Sequence, residues 1–321
     1  MTNSTVTQAD LKANLLSKRI KEISSQEGFF YTGIATADEL TEEAHKLEAW
    51  LRKGHQGKMS YMERNFDKRI DPRKLVQGAR SVISLLLNYY PGKIRQTEGA
   101  PLISKYAYGE DYHFVIKRKL KTLITLMKDE FGEFNARVFV DSAPVMDKAW
   151  AHKAGLGWQG KHSNLINKKE GSFFFIAEII SDLVLEPDNP SGDFCGTCTR
   201  CIDACPTEAI VEPYVVDANK CISYLTIELK DALKSEWKEK LNNWVFGCDI
   251  CQDVCPWNRF SKQHSESSFT PDPRLLNFSK EEWNEITEEL FNDMFKHSAI
   301  QRTGFKRLKE NIHLLQSKPS T

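Results

Sequence analysis

Apolar residues recur at helical spacing near the start of the chain. Within residues 8–26, Leu11, Leu15, Ile20 and Ile23 share one helical face. Residues 39–53 repeat the pattern with Leu40, Ala44, Leu47, Trp50 and Leu51, and stop near Gly54. Residues 81–90 are a nearly continuous apolar run ended by Pro91-Gly92, which predicts a buried strand. A helix is expected over 112–130, with Asp111 placed to cap it. Residues 136–141 (Ala-Arg-Val-Phe-Val-Asp) predict a short strand broken by Ser142-Ala143-Pro144, residues 145–154 a helix, and residues 171–180 a second buried strand. Beyond residue 260 the pattern gives a polar linker over 261–274, an acidic amphipathic helix over 280–295 and a last helix over about 299–315.

The 321 residues are enough for two domains or one large one. With 44 basic and 44 acidic residues the net charge is zero, so nothing draws the whole chain toward nucleic acid or membrane. Charge is uneven locally, with nine Lys/Arg against three Asp/Glu between Arg52 and Arg80. Such a stretch is either a solvated face or a contact for an anion, a phosphate-bearing cofactor or an RNA backbone. Arg69 lies there, in Asp67-Lys68-Arg69-Ile70-Asp71-Pro72, just before a proline-fixed turn. Arg302, Lys306, Arg307 and Lys309 in the last helix have the same two readings. No run of 18 apolar residues exists, and the N-terminus has no basic, apolar or twin-arginine signal pattern. A cytoplasmic protein without a membrane span is expected.

The cysteines narrow the chemistry. Cys195, Cys198, Cys201 and Cys205-Pro206 follow the C-x2-C-x2-C-x3-C-P spacing of bacterial ferredoxins, in which three thiolates of one loop converge on a cubane and the fourth serves another cluster. The second half is Cys221 with Cys248, Cys251 and Cys255-Pro256, which uses all eight cysteines. By the crossed rule, Cys195, Cys198, Cys201 and Cys255 hold one [4Fe–4S] cluster, and Cys205, Cys221, Cys248 and Cys251 hold the other. Zinc would favour two separated C-x2-C pairs, and disulfides a secreted chain. The cluster module needs only residues 190–260 or so, which leaves most of the chain for something beyond carrying electrons.

Four further places in the chain are candidates for chemistry. Asp141, at the end of its strand, is either an acid facing a ligand crevice or a cap for the next helix. Gly155-Leu-Gly157-Trp-Gln-Gly160 has the letters of a dinucleotide fingerprint but lacks the preceding strand and following helix. It reads instead as a flexible loop letting backbone approach a flat or phosphate-bearing ligand, with Lys161 and His162 at its exit. Asp111-x-His113 begins the cobalamin signature D-x-H-x-x-G, but Ile116 stands where glycine is required. His113 is therefore read as a first-turn helix residue. Ser223, two residues after Cys221, is placed to hydrogen-bond a cluster sulfur or a neighbouring ligand.

These residues resemble one family, epoxyqueuosine reductase, the iron–sulfur and cobalamin enzyme of tRNA queuosine synthesis. The resemblance rests on residues 68–72, 106–113, 140–144 and 154–164, on the two cysteine runs and on residues 221–226, in order along roughly residues 10–315. It implies an α+β fold, with a nitroreductase-like cobalamin-binding domain (1–185), a ferredoxin-like two-cluster module (186–262) and a short helical C-terminal region (263–321). It implies reduction of epoxyqueuosine at the wobble position of a tRNA anticodon loop, by electrons from an external low-potential donor, in a monomeric protein. Asp141 matches the family's proton donor, working best if burial raises its pKa. Arg69, Ser104, Asp141, Leu165, Ile176, Ser223 and Asp249 fall where cobalamin contacts lie. The family has no histidine below cobalt, in keeping with the incomplete D-x-H-x-x-G. A cobalamin-dependent reductive dehalogenase and a non-catalytic electron carrier are the alternatives; the first usually carries a twin-arginine signal, and the second leaves the large non-cluster part unused.

Overall fold

The computed structural model describes residues 7–316. Helix α1 (Gln8–Gln26) starts at a reciprocal cap in which Thr7 and Asp10 bond each other's backbone N–H. Its buried face is Ala13, Ser17, Ile20, Ile23 and Ser24. Leu11 and Leu15, expected on that face, are 62% and 68% exposed. Ser17 and Ser24 take the inner positions because each hydroxyl donates to the carbonyl four residues back, Ala13 and Ile20. Strand β1 (Tyr31–Thr36), not expected from the pattern, leads to α2 (Thr41–Arg52) and the short α3 (Phe66–Ile70).

Strand β2 (Ser81–Asn88) is followed by β3 (Leu102–Ile103), α4 (Tyr112–Phe131), β4 (Ala136–Phe139), α5 (Asp147–Lys153), the hairpin of β5 (Trp158–Gln159) and β6 (Leu165–Ile166), and β7 (Phe174–Ser181). The main sheet runs β1-β2-β7-β4 with every neighbour antiparallel. Both central strands are mostly apolar because both faces are covered. Ile83, Leu85, Phe175, Ala177 and Ile179 face a core shared with Ile20 and Ile23 of α1 and Ile116, Leu120 and Leu123 of α4. Val82, Leu86, Phe174 and Ile180 face the other, shared with Trp150, Ala151 and Ala154.

The glycine stretch packs closely against the chain's own backbone. Gly157 belongs to the β5–β6 hairpin, where a Cβ would lie 2.2 Å from the Ile166 carbonyl oxygen. The close approach that glycine permits is to the chain's own backbone.

Two single-turn helices, α6 (Arg200–Asp203) and α7 (Ile250–Asp253), carry the cysteine runs and pack against each other. Between them lie the β8 (Ile210–Glu212) and β9 (Val215–Val216) pair and strand β10 (Trp244–Phe246), which pairs in parallel with β3. The remainder is α8 (Pro273–Asn277), α9 (Lys280–Glu285), α10 (Glu288–Phe295) and α11 (Phe305–Gln316). The single helix expected over 280–295 is two. Ile286 is extended and buried, and Thr287 opens α10 by accepting from Leu290 N at 3.2 Å. The last helix likewise begins after Gly304, preceded by a 3-10 turn over Ala299–Arg302. The polar linker is not loose either: Phe269 is buried in the first core, and a Cβ on Gly109 would lie 2.4 Å from Phe269 Cα. Trp283, Phe291, Ile300, Leu308 and Ile312 form a third core with Ile103, Ala107 and Phe246. The C-terminal region is thus packed onto a segment some 200 residues earlier.

Candidate active site and cluster-binding cysteines

Cys195, Cys198, Cys201 and Cys255 line one cavity of about 220 Å³, beside Trp257 and Ile166. Trp158 Nε1 donates to Cys195 Sγ at 3.4 Å. Cys255 comes from the second run, so the crossing expected from spacing is present in three dimensions. Cys205, Cys221, Cys248 and Cys251 form the other quartet. Burial raises the thiol pKa values of Cys221 and Cys248, and each also feels the charge of Cys205. Cys251 is raised by burial, then by Cys248 and Cys221. Four thiolates held this close in a low dielectric need a multiply charged cation among them. The C-x2-C-x2-C-x3-C-P runs that supply these thiolates are those of two-cluster ferredoxins. Ser223 hydrogen-bonds Cys221.

Asp141 follows β4 after one residue and sits in the left-handed region at φ 54°. Aspartate tolerates that conformation better than most residues. Because the sheet is antiparallel, the crevice rule for parallel strands does not place this side chain; the turn after Phe139 does. Its side chain is 56% exposed. Tyr112 Oη donates to Asp141 Oδ2 at 2.6 Å, and His113 Nε2 stands 3.5 Å from the same oxygen. His113 Nδ1 is 2.7 Å from Asp111 Oδ1, and Arg302 Nη1 is 3.4 Å from His113 Nε2. Tyr112 is itself held flat on Phe175, ring centres 4.2 Å apart.

The electrostatics differ from expectation. Surrounding protein works to raise the Asp141 pKa, but the bonds from His113 and Tyr112 outweigh it and hold the carboxyl below its usual range. Burial works to lower His113, but its bonds to Asp111 and Asp141 raise it above 6.5. Asp141 is therefore an ionised carboxylate beside an imidazole that readily takes a proton, rather than a buried neutral acid.

Other charged groups gather around Asp141. Lys148 feels Asp147, Asp141, Cys251 and Cys221, which sets Asp141 and the second cysteine quartet within electrostatic reach of one ammonium. Burial and the Asp141 charge push Asp147 up to about 7. Glu178 is raised well above the usual carboxyl value by burial, then by the charge of Asp147. No sequence pattern singled out His113, Tyr112, Lys148, Asp147 or Glu178 as partners. The available signal was Glu178, a lone acid inside an otherwise apolar strand.

The expected cofactor contacts separate into groups. Arg69 is buried, donates from Nη2 to the Tyr61 carbonyl at 3.0 Å, and has no partner for Nε. Ser104 Oγ donates to Asp249, which also accepts from Lys105 N at 2.8 Å, so these two tie the end of β3 to α7. Leu165 is buried in the second core and Ile176 packs against it, on the sheet face of Glu178. Lys161 and His162 point elsewhere. Lys161 Nζ donates to the carbonyls of Gly196 at 2.7 Å and Cys198 at 3.0 Å, fastening the hairpin tip to the first cysteine loop. Both residues line the first cluster cavity. Burial, then Lys148, lowers His162 to about 4, so it is a neutral imidazole accepting from Asn164 N at 3.1 Å.

Comparison with known proteins agrees with this geometry. Residues 69–142 match the model described as "Epoxyqueuosine reductase QueG, DUF1730", and residues 194–258 match the 4Fe-4S double cluster binding domain. An epoxyqueuosine reductase of Cyclobacterium marinum is 58% identical over 303 residues, 94% of this chain and 97% of its own. The chain belongs to the epoxyqueuosine reductase family. The Escherichia coli epoxyqueuosine reductase is 42% identical over 307 residues, 94% of this chain and 81% of its own. Among solved structures, an epoxyqueuosine reductase crystallised with an epoxyqueuosine-modified tRNA-Tyr stem loop superposes with a TM-score of 0.87 at 30% identity, covering 94% of this chain and 80% of that one. The Bacillus subtilis epoxyqueuosine reductase with its catalytic aspartate loop swung out of the active site gives 0.86 at 30% identity, covering 94% and 81%. Membership accounts for the mixed helix-and-strand fold joined to a double-cluster domain.

Proposed function

We propose that this chain reduces epoxyqueuosine to queuosine at the wobble position of tRNA, with electrons passing through two [4Fe–4S] clusters to cobalamin held in the recess beside Asp141. The observation that carries this reading is that two systems meet around one side chain: Lys148 feels Asp141, which accepts from Tyr112 and lies beside His113, and it also feels Cys251 and Cys221 of the second quartet. The first part of the chain is proposed to be nitroreductase-like, with the divisions 1–185, 186–262 and 263–321. A monomeric, cytoplasmic protein is part of the same proposal.

Converting an epoxide to an alkene removes one oxygen as water and consumes two electrons and two protons. Clusters release electrons one at a time. Cobalamin, when bound, supplies a strongly reducing cobalt centre at the substrate carbon. The residues present fit such a group: Arg69 has an unpartnered buried Nε, Glu178 has carboxyl oxygens turned to the same sheet face as Ile176, and Lys148 stands at the recess. Arg69, Leu165, Ile176 and Ser223 would hold it, with Ser104 and Asp249 keeping β3 and α7 in register. Asp141 stands where a departing oxygen would be protonated. Because Asp141 is ionised, the proton comes to it from His113 Nε2, while Asp111 keeps the imidazole oriented through Nδ1. Tyr112 holds the Asp141 carboxylate in place.

The test uses anaerobically reconstituted protein, an epoxyqueuosine-bearing tRNA stem loop and a low-potential reductant, with mass spectrometry of the released nucleoside. Loss of one oxygen is expected. Asp141→Asn should bind the stem loop normally and lose turnover by ~10²–10⁴-fold. Full turnover in that variant removes Asp141 from the chemistry, and zinc in place of iron defeats the reading altogether. An organohalide assayed in parallel tests the dehalogenase alternative.

A further inference from the structure

The two cysteine quartets are not equivalent. Cys221 and Cys251 of the second lie within electrostatic reach of Lys148 at the recess, and Cys251 also feels Cys201 of the first. The first quartet opens on a cavity whose rim is at the surface. Phe194 and Phe260 beside it are 44% and 39% exposed. Lys161, Arg200 and Arg259 line that cavity, and no carboxylate does. Lys168 lies over the Phe194 ring at 4.7 Å and Arg259 over Phe260 at 4.5 Å. Lys168, Arg200 and Arg259 are exposed, and none has an ion-pair partner among the described residues. Of the acids near this rim, Glu170 is paired with Lys262, while Asp193 accepts from Tyr214 Oη and Cys195 N and Asp203 from Thr199 Oγ1 outside the cavity lining.

We propose that this rim, with Phe194 and Phe260 at its centre and Lys168, Arg200 and Arg259 around them, is the docking surface for a small acidic protein that carries one electron. The inference rests on the redox reading of the preceding subsection. In each encounter the carrier loses one electron and the cluster of Cys195, Cys198, Cys201 and Cys255 gains it. No bond is made or broken, and no proton moves. Two encounters supply one turnover. The partner is acidic because the charged groups that line the cavity, Lys161, Arg200 and Arg259, are all cationic, and Lys168 adds a fourth beside Phe194. It is a protein rather than a small reductant because exposed aromatic rings beside cations offer a desolvated contact larger than a small molecule covers. The order of transfer is then rim, first quartet, second quartet, recess.

The test follows reduction of the clusters by stopped-flow absorbance in reconstituted protein without tRNA. A purified acidic plant-type ferredoxin is one reductant, and photoreduced 5-deazariboflavin, small and uncharged, is the other. The double variant Arg200→Glu/Arg259→Glu should slow reduction by ferredoxin at least ten-fold at low salt and flatten its dependence on ionic strength, within the ~10–10³-fold range of electrostatic steering. Arg200→Gln/Arg259→Gln, a milder change, should slow it less. The deazaflavin rate should stay as in the parent for both. Equal slowing with both reductants overturns the proposal, because the arginines then tune or support the cluster. Unchanged ferredoxin rates overturn it as well. The readout is independent of tRNA turnover: steered cluster reduction without epoxide reduction would leave the docking surface standing and defeat the assigned reaction.

Discussion

Asp141 is an acid whose environment favours its charged form. Without partners, the surrounding protein would raise its pKa; the donors His113 and Tyr112 reverse the sign. His113 shows the mirror image, raised because Asp111 and Asp141 both favour the imidazolium. The state with His113 protonated and Asp141 ionised therefore spans the window between a lowered carboxyl and a raised imidazole. Turnover limited by that proton should fall as pH climbs through the raised His113 value. Removing the imidazole, as in His113→Gln, lets Asp141 drift back toward an ordinary carboxyl near pH ~3.9, so the alkaline limb should move to lower pH and turnover near neutrality should drop. A pH–rate profile identical to the parent would exclude His113 from the relay. Stability follows the same sign. The His113 contribution is complete below about 6.5 and is lost as pH rises through the folded value, so the parent's advantage in Tm over His113→Gln should shrink above neutrality. His113 was legible only as a first-turn residue, since its partner Asp141 is 28 positions away and reaches it by a turn that no periodicity reports.

At the scale of elements, α6 and α7 exchange ligands. Cys255 follows α7 yet lines the cavity of Cys195, Cys198 and Cys201, which flank or belong to α6. Cys255→Ser should therefore cost the first cluster and leave the second, with about half of the iron retained and the cysteines of the first run otherwise intact. Retention of the first cluster in that variant would refute the crossed assignment. This much was readable from spacing, because in the C-x2-C-x2-C-x3-C-P run the first three thiolates converge on one cluster and the fourth, on the following turn, ligates the other. The glycine stretch was less readable for the same local reason. The letters of a phosphate loop and of a tight hairpin coincide, and what separates them is Ile166, whose carbonyl lies against Gly157 from nine residues further on. Lys161 and His162 went to the first cluster cavity with that hairpin rather than to the recess.

For the molecule as a whole, the C-terminal helices are part of the site's scaffold. Ile300 is fully buried in the core built with Ile103, Ala107 and Phe246, and Arg302, two residues on, reaches His113. Ile300→Ala should cost about 2–5 kcal/mol by removing that packing. It should also lower turnover at temperatures well below its Tm, because the turn that places Arg302 loses its anchor. Calorimetry and single-turnover rates on the same preparation test both halves, and a variant with parent-like Tm would contradict this packing. The three-core arrangement was not legible in the chain. Residues 261–274 read as a linker by composition, yet Phe269 is inserted under the sheet, and Leu11 and Leu15 read as core yet face outward.

The chain by itself determined the ligand chemistry of the clusters, the two buried strands and the cap at Asp111, all set by interactions within a few residues. Tertiary structure alone decided which carboxyl is ionised, which histidine serves it and which recess the second quartet faces. Those properties are sums of charge and burial over groups far apart in sequence. A one-dimensional pattern carries residue types and spacings, whereas a pKa or a proton path depends on distances that exist only once the three cores have packed.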